Sequence, residues 1–353
     1  MKSQNPKNVV SKVENTLDHK ADATMTPDRL RDYWFNGTRV PFWNYDPAKL
    51  TMGLELEYFI GEVGVGKGQN FKLATRLQYL EVISYLIKYE GYSDRQLQDQ
   101  PGRVSKDTSQ GFIAIKPDFA WHILEIALPP RHTQEELRHL LVGTFKEVDR
   151  ALAKSGLQRL DLSCLPDVPE AMDLVELDRL SGHRPFAGDN KIGDALMVFP
   201  ALIAATHVHI NCSDEHSLKR MPLLYESDLA AQSQFTRAKF FRGQEFANAR
   251  TMFYEESFGQ EYLLRTNPKT IPDSVDAYCV QYNQSAKIFP HDKFFAARDM
   301  SYIRPTRHGT FEFRSACSYL DIEKILAIAQ FRRAQVLSII SDPESSDMTG
   351  GAS

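Results

Sequence analysis

Residues 51–60, TMGLELEYFI, restrict the fold more than any other stretch of the chain. Glu55 and Glu57 alternate there with Leu54, Leu56 and Tyr58. A β-strand turns residues i and i+2 to the same face, so both carboxylates project together, roughly 7 Å apart. The apolar neighbours bury both faces of such a strand, and a buried carboxylate is costly unless something neutralises it. Something in the rest of the chain, or bound to it, has to neutralise these two.

Three more segments repeat the pattern. In PDFAWHILEIALPP, with a strand expected over 119–128, Glu125 sits in an apolar run with Trp121, Ile123 and Ala127 on its face. In ATHVHIN, 205–211, His207 and His209 share one face and Thr206, Val208 and Ile210 the other. In GTFEFRSA, with a strand over 310–315, Glu312 and Arg314 share one face and Phe311 and Phe313 the other. Each has a bland explanation: a solvated face, a pair of satisfied histidines, an intrastrand ion pair. Together they are complementary. Carboxylates with imidazole suit a divalent cation, and an arginine beside them suits an anionic oxygen, phosphate above all. Divalent ions that neutralise Glu55 and Glu57 while binding nucleotide phosphates are the reading this set favours.

The remaining sequence frames these strands. Helices are predicted from Leu73 to Glu90, with Leu77, Leu80, Ile83 and Leu86 as the apolar stripe and Gly91 as the stop. A second runs from Thr133 to Ser155, with a Thr133/Glu136 capping box and Gly156 beyond. Ser227 to Tyr254 reads as helical, and Asp321 caps a last helix to Ile340. A short helix starts at Thr26, with Pro27 at its first position. GEVGVGKGQN lacks the phosphate-loop pattern and reads as a glycine-rich hairpin. There is no strict βαβ rhythm, so the expected class is α+β with an antiparallel-dominated sheet and flanking helices. The expected division is an N-terminal arm over 1–47, one catalytic domain over 48–340 and a disordered tail over 341–353.

Composition narrows the partners. With 42 basic and 46 acidic residues the formal charge is −4, and no basic stripe stands out, so nucleic acid is not an expected partner. No apolar run approaches the ~20 residues of a membrane span, and the first residues lack the apolar segment of a signal peptide. The four cysteines form no CxxC pair, so thiols in a reducing cytoplasm are expected.

These residues resemble the carboxylate–amine ligases related to glutamate–cysteine ligase. GLELEYF is similar to that family's G-x-E-x-E strand, and WHILEIALPP to its strand with one metal-binding glutamate before a proline. THVHIN is similar to its H-V-H-V strand, and RPTRHGTFEFRSACS to its R-x-G-T-x-E-x-R segment. The four occur in family order over roughly residues 50 to 340. The resemblance implies a glutamine synthetase-like fold, a curved antiparallel sheet holding ATP and two or three Mg²⁺, for which Mn²⁺ can substitute. It implies Glu55, Glu57, Glu125 and Glu312 as metal ligands. One or both of His207 and His209 would contact metal or phosphate, with His209 the metal ligand. Arg314 would stabilise the transferring phosphoryl group, and Arg307 would lie near the phosphates or the substrate acid. The family's glycine-threonine-glycine segment has only a loose counterpart in FFRGQEFANAR, where Arg250 stands at a changed distance from Gly243. The parts that recognise cysteine have no obvious match, which leaves the amine open.

The expected activity is ATP-dependent formation of an amide, γ-glutamyl among the options, through an acyl phosphate. Amino acid and amine are the expected substrates, and a homo-oligomer is compatible with the sequence. Two other readings stay open: a guanidino kinase-like phosphotransferase of the same fold, and a metal-dependent hydrolase using His207 and His209.

Overall fold

The computed structural model describes residues 26–29, 50–64, 71–94, 102–167, 169, 172–175, 199–211, 221–237, 239–241, 243–246, 274–277, 279–280, 283, 303–306 and 309–340. The TMGLELEYFI segment lies in the longest strand, β1 (Met52–Val63). Around it are β2 (Phe71–Leu73), β3 (Val104–Thr108), β4 (Gly111–Pro117), β5 (Ile123–Arg131), β6 (Gln158–Arg159), β7 (Ala205–Asn211), β10 (Ile303–Pro305) and β11 (Thr310–Cys317). They form one sheet in the order β10-β11-β7-β1-β5-β4-β3, with β2 and β6 also paired to β1, and every pairing in it is antiparallel. A separate hairpin joins β8 (Lys239–Phe241) to β9 (Gln244–Phe246). The α-helices are α1 (Arg76–Tyr89), α2 (Gln134–Lys154), α3 (Met221–Ala231) and α4 (Ile322–Ile340). This is the expected α+β architecture.

Alternation gives the sheet two different faces. Leu54, Leu56, Tyr58 and Ile60 of β1, Leu124 and Ile126 of β5, Val208 and Ile210 of β7, and Phe311 and Phe313 of β11 are all buried in one core. Tyr79, Val82 and Leu86 of α1, Leu141, Phe145 and Val148 of α2, and Ile325 and Ala329 of α4 fill the same core. The helices therefore cover one face of the sheet. The intervening residues of the same strands, which carry the ionisable groups, have the other.

Several expectations hold at the helix ends. Thr133 and Glu136 form the full capping box of α2. The Glu323 N–H donates to Asp321 Oδ1 at 2.9 Å, so Asp321 caps α4. The Arg29 N–H meets Thr26 Oγ1 at 3.2 Å at the start of the short N-terminal helical turn. Gly91 and Gly156 follow their helices with φ of 77° and 71°, the left-handed conformation that ends a helix cheaply only with glycine. The glycine-rich hairpin is bounded by β1–β2 pairing, Gly61 opposite Leu73 and Val63 opposite Phe71.

Other expectations are corrected. The first helix begins at Arg76, not Leu73, because Leu73 pairs with Gly61 in β2 and Thr75 with Gln78 makes the capping box. Its buried face is Tyr79, Val82, Ile83 and Leu86, whereas Leu77 is 75% exposed. The strand expected over 119–128 runs instead from Ile123 to Arg131. Its expected start is a turn: the Asp118 N–H reaches Ile123 O at 3.0 Å and the Trp121 N–H reaches Asp173 O at 3.0 Å. Trp121 thus leaves the face of Glu125 and packs edge-on against Tyr79, ring centres 5.4 Å apart. Pro129 and Pro130 remain in β5 because β4 pairs only with residues 124–127, so no N–H is demanded of them on that side. The helix expected over 227–254 stops at Ala231, becomes a 3₁₀ turn (Gln232–Gln234) and is followed by the β8–β9 hairpin. The β3–β4 hairpin was not expected at all. Most of the expected arm, the expected tail, Arg250 and Arg307 lie outside the described residues.

Candidate metal and phosphate site

Sheet register assembles the ionisable residues in a slanted row. Lys116 of β4 stands opposite Glu125 of β5, and Glu125 opposite Glu57 of β1. Two residues back along β1, Glu55 stands opposite His207 of β7. Two residues on along β7, His209 stands opposite Glu312 of β11. Cross-strand partners share a face, so Glu55, Glu57, Glu125, His207, His209 and Glu312 converge on the face away from the helices.

The spacing between them suits a shared cation. His207 Nδ1 lies 3.7 Å from Glu55 Oε2 and 3.6 Å from Glu312 Oε1, and its Nε2 lies 3.7 Å from Glu57 Oε1. His209 Nε2 lies 3.6 Å from Glu55 Oε1. These separations are too long for hydrogen bonds, yet two atoms each about 2.1 Å from one Mg²⁺ lie roughly 3 to 4 Å apart. Glu55, His209 and Glu312 each offer a ligand atom within 4.8 Å of the others. Carboxylate with one imidazole is a donor set that fits Mg²⁺ or Mn²⁺. Glu312 is 1% exposed and Glu55 31%, so the group is walled on one side and open on the other. Burial pushes the Glu55 carboxyl up, but the approach of His207 and His209 and the charges of His209 and Lys116 hold it well below the usual carboxylate range.

Neighbouring groups fix these side chains. His209 Nδ1 and the Thr310 hydroxyl share a hydrogen bond at 3.1 Å, which turns Nε2 toward Glu55. The Thr310 and Thr306 hydroxyls share another at 2.7 Å. Asn211 Oδ1 accepts from the Thr51 N–H and, at 3.0 Å, from its hydroxyl, locking β7 to the start of β1. Gly53 stands opposite His209, and a Cβ there would meet His209 Cβ at 3.4 Å, so glycine leaves the space beside the imidazole open. The Ser318 hydroxyl donates to Glu57 O at 2.7 Å, where β7 no longer covers β1.

Arg314 sits at a bulge. Between Phe313 and Ala316, β11 has one residue more than the facing stretch of β7, and such a bulge re-aims a side chain. Arg314 Nη1 lies 2.6 Å from Glu312 Oε1. The intrastrand ion pair that the sequence allows is therefore formed, next to the cation ligands. Sequence reasoning missed Lys116, whose Nζ lies 2.6 Å from Glu125 Oε1. Its signal was the same alternation: Ala114 and Lys116 on one face, Ile113 and Ile115 on the other.

Among the described residues, no helix is long and apolar enough to cross a membrane. No family model and no curated protein matches the sequence. In fold the chain is similar to the crystal structure of a bifunctional glutathione synthetase from Pasteurella multocida, with TM-score 0.50 and 15% identity, over 82% of this chain and 39% of that one. The chain thus spans about two-fifths of that protein's length. Weaker overlaps are with Plasmodium falciparum glutamine synthetase (TM-score 0.36, 13% identity, 90% of this chain and 56% of that one) and a glutamine synthase homologue (0.30, 11%, 89% and 67%). Only the first of these three bears on the fold, where it agrees with an antiparallel sheet flanked by helices.

Proposed function

We propose that this chain is an ATP-dependent carboxylate–amine ligase that forms an amide through an acyl phosphate. The observation that carries the reading is the convergence of Glu55, His209 and Glu312, with Glu57, Glu125, His207 and Arg314 around them, on one face of an antiparallel sheet. The fold likeness to a bifunctional glutathione synthetase supports it, as does the resemblance of the four strand motifs to the glutamate–cysteine ligase-related family.

In this reading Glu55, His209 and Glu312 hold Mg²⁺, and Glu57, Glu125 and His207 complete the charged face. Bound Mg²⁺ would supply charge neutralisation at the nucleotide phosphates. The acid substrate's carboxylate oxygen attacks the γ-phosphorus, the bond to the β-phosphate oxygen breaks, and ADP leaves. The amine nitrogen then attacks the acyl carbon, the C–O bond to phosphate breaks, and nitrogen loses a proton. No protein nucleophile is needed, so the residues orient the reactants and stabilise charge. Arg314 suits the moving phosphoryl group because a planar guanidinium can hold Glu312 and a phosphate oxygen together. The acid is an amino acid such as glutamate, and the amine is the open half of the reaction.

The test is incubation with ATP, Mg²⁺ and pools of amino acids and amines, read by mass spectrometry. A condensation product formed one-for-one with ADP is expected. Stoichiometric AMP overturns the reading, and ADP with a phosphorylated guanidino product replaces it with phosphotransfer.

A further inference from the structure

Lys116 is a permanent cation that the neighbouring strand β4 adds to the carboxylate row. Its Nζ is 2.6 Å from Glu125 Oε1, with the two side chains 20% and 4% exposed. Lys116, Glu125 and Glu57 are successive cross-strand partners, so the ammonium stands at the end of a three-strand row, against Glu125. The other half of the face differs. There Glu55, His209 and Glu312 present three ligand atoms to one point, and the described residues hold no second such group.

We propose that Lys116 stands in for a metal ion on the Glu57–Glu125 half of the site, so that the nucleotide-free protein holds one divalent ion tightly, at Glu55, His209 and Glu312, and not two. This rests on the proposed function for the identity of the site. Charge supports it. Among the described side chains the face carries four carboxylates, Glu55, Glu57, Glu125 and Glu312, against two permanent cations, Lys116 and Arg314. Arg304 of β10 also stands opposite Glu312, so at most two negative charges remain, which one divalent ion neutralises. A second ion would have to displace an ammonium already within hydrogen-bond distance of a nearly buried carboxylate, and the freed charge would stay on the face. His209 is also prepared for an ion, since Thr310 orients its ring. Lys116 thereby keeps a cation on its half of the site when divalent ions are scarce.

The experiment is titration of the full, nucleotide-free chain with Mn²⁺, reading free and bound ion by electron paramagnetic resonance. The wild type is expected to take up one tight Mn²⁺ per chain with the spectrum of an isolated ion. Lys116→Gln is expected to take up two, and Lys116→Arg to stay at one. Two tight ions in the wild type, or a spectrum broadened by a neighbouring Mn²⁺, overturn the inference while leaving the proposed function standing. So does a Lys116→Gln protein that melts normally and still binds one. The wild-type spectrum needs no variant, so the inference is decided even where Lys116→Gln does not fold. No tight Mn²⁺ in the wild type overturns the cation reading of the site, and this inference with it.

Discussion

Arg314 answers to two demands. Its guanidinium lies 2.6 Å from Glu312, and both side chains are largely buried. If neutralising Glu312 were its whole role, Arg314→Lys would keep the charge and most of the activity. A contact to the moving phosphoryl group would need the planar fork, which an ammonium cannot copy. The variant is expected to melt close to the wild type, bind Mg·ATP similarly, and lose on the order of 10²-fold in kcat. Steady-state kinetics with thermal melts decide it, since preserved kcat with a large melting shift would make Arg314 structural. Glu55→Gln is expected to fold, because Leu54, Leu56 and Tyr58 still pack the other face, and to abolish ATP turnover. Near-normal turnover of that variant at limiting Mg²⁺ would remove Glu55 from the ligand set. The shared faces of these residues were legible because period two is a property of one strand alone. The Lys116–Glu125 and His209–Thr310 contacts were not, because they depend on which strands pair and in what register, and that information is spread over residues 116 to 310.

Elements were legible where their signals are local. The α2 capping box is one such case: the Glu136 N–H meets Thr133 Oγ1 at 3.2 Å, and the Thr133 N–H meets Glu136 Oε2 at 3.0 Å. Thr133→Ala is expected to cost about 1 kcal/mol at neutral pH, measured by urea unfolding. Burial pushes the Glu136 carboxyl up, but the Thr133 N–H and hydroxyl and the His132 N–H outweigh it and hold the group below its ordinary value. A carboxyl depressed in the folded state stabilises above its unfolded pKa of about 4.3 and stops doing so as pH falls through the folded value. Stability carried by Glu136 should therefore fade below about pH 4, and the gap between Thr133→Ala and wild type should narrow with it. Unchanged spacing of the two unfolding curves from pH 7 to pH 3 would contradict this. Elements set by distant partners were misread. Residues 119–122 have strand composition but are held as a turn by Asp173. Residues 232–246 have helix-compatible composition, but Gly243, with φ of 78°, turns the chain back into the β8–β9 hairpin.

Across elements, a buried polar cluster that the sequence did not announce joins two helices to the sheet. Arg332 of α4 is fully buried, its Nη1 2.6 Å from Asp228 Oδ1 of α3. It also donates to Gln335 Oε1 at 2.9 Å and to Ser315 Oγ at 2.7 Å, and Ser315 donates to Asp228 at 3.1 Å. Its guanidinium lies 5.0 Å from the ring centres of Phe235 and of Phe313. Burial pushes the Arg332 guanidinium below its ordinary value, and Asp228 opposes that. Two helices are thereby joined to the β11 bulge, and Ser315 is the residue next to Arg314. Removing one partner of such a pair leaves an uncompensated buried charge, so Arg332→Met is expected to destabilise by about 3–5 kcal/mol. Replacing both charges by apolar groups of similar volume is often neutral, so Arg332→Met with Asp228→Leu should recover most of that loss. It does not restore the tether on Ser315, and a loosened bulge should misplace Arg314. The double variant is therefore expected to be stable yet slow in kcat, with Mg·ATP binding little changed. Denaturant unfolding and kinetics on the single and double variants separate the possibilities. Recovery of both stability and kcat would show that the cluster only packs the helices onto the sheet, whereas stability without turnover would show that the helix layer sets the position of Arg314 from the far side of the sheet.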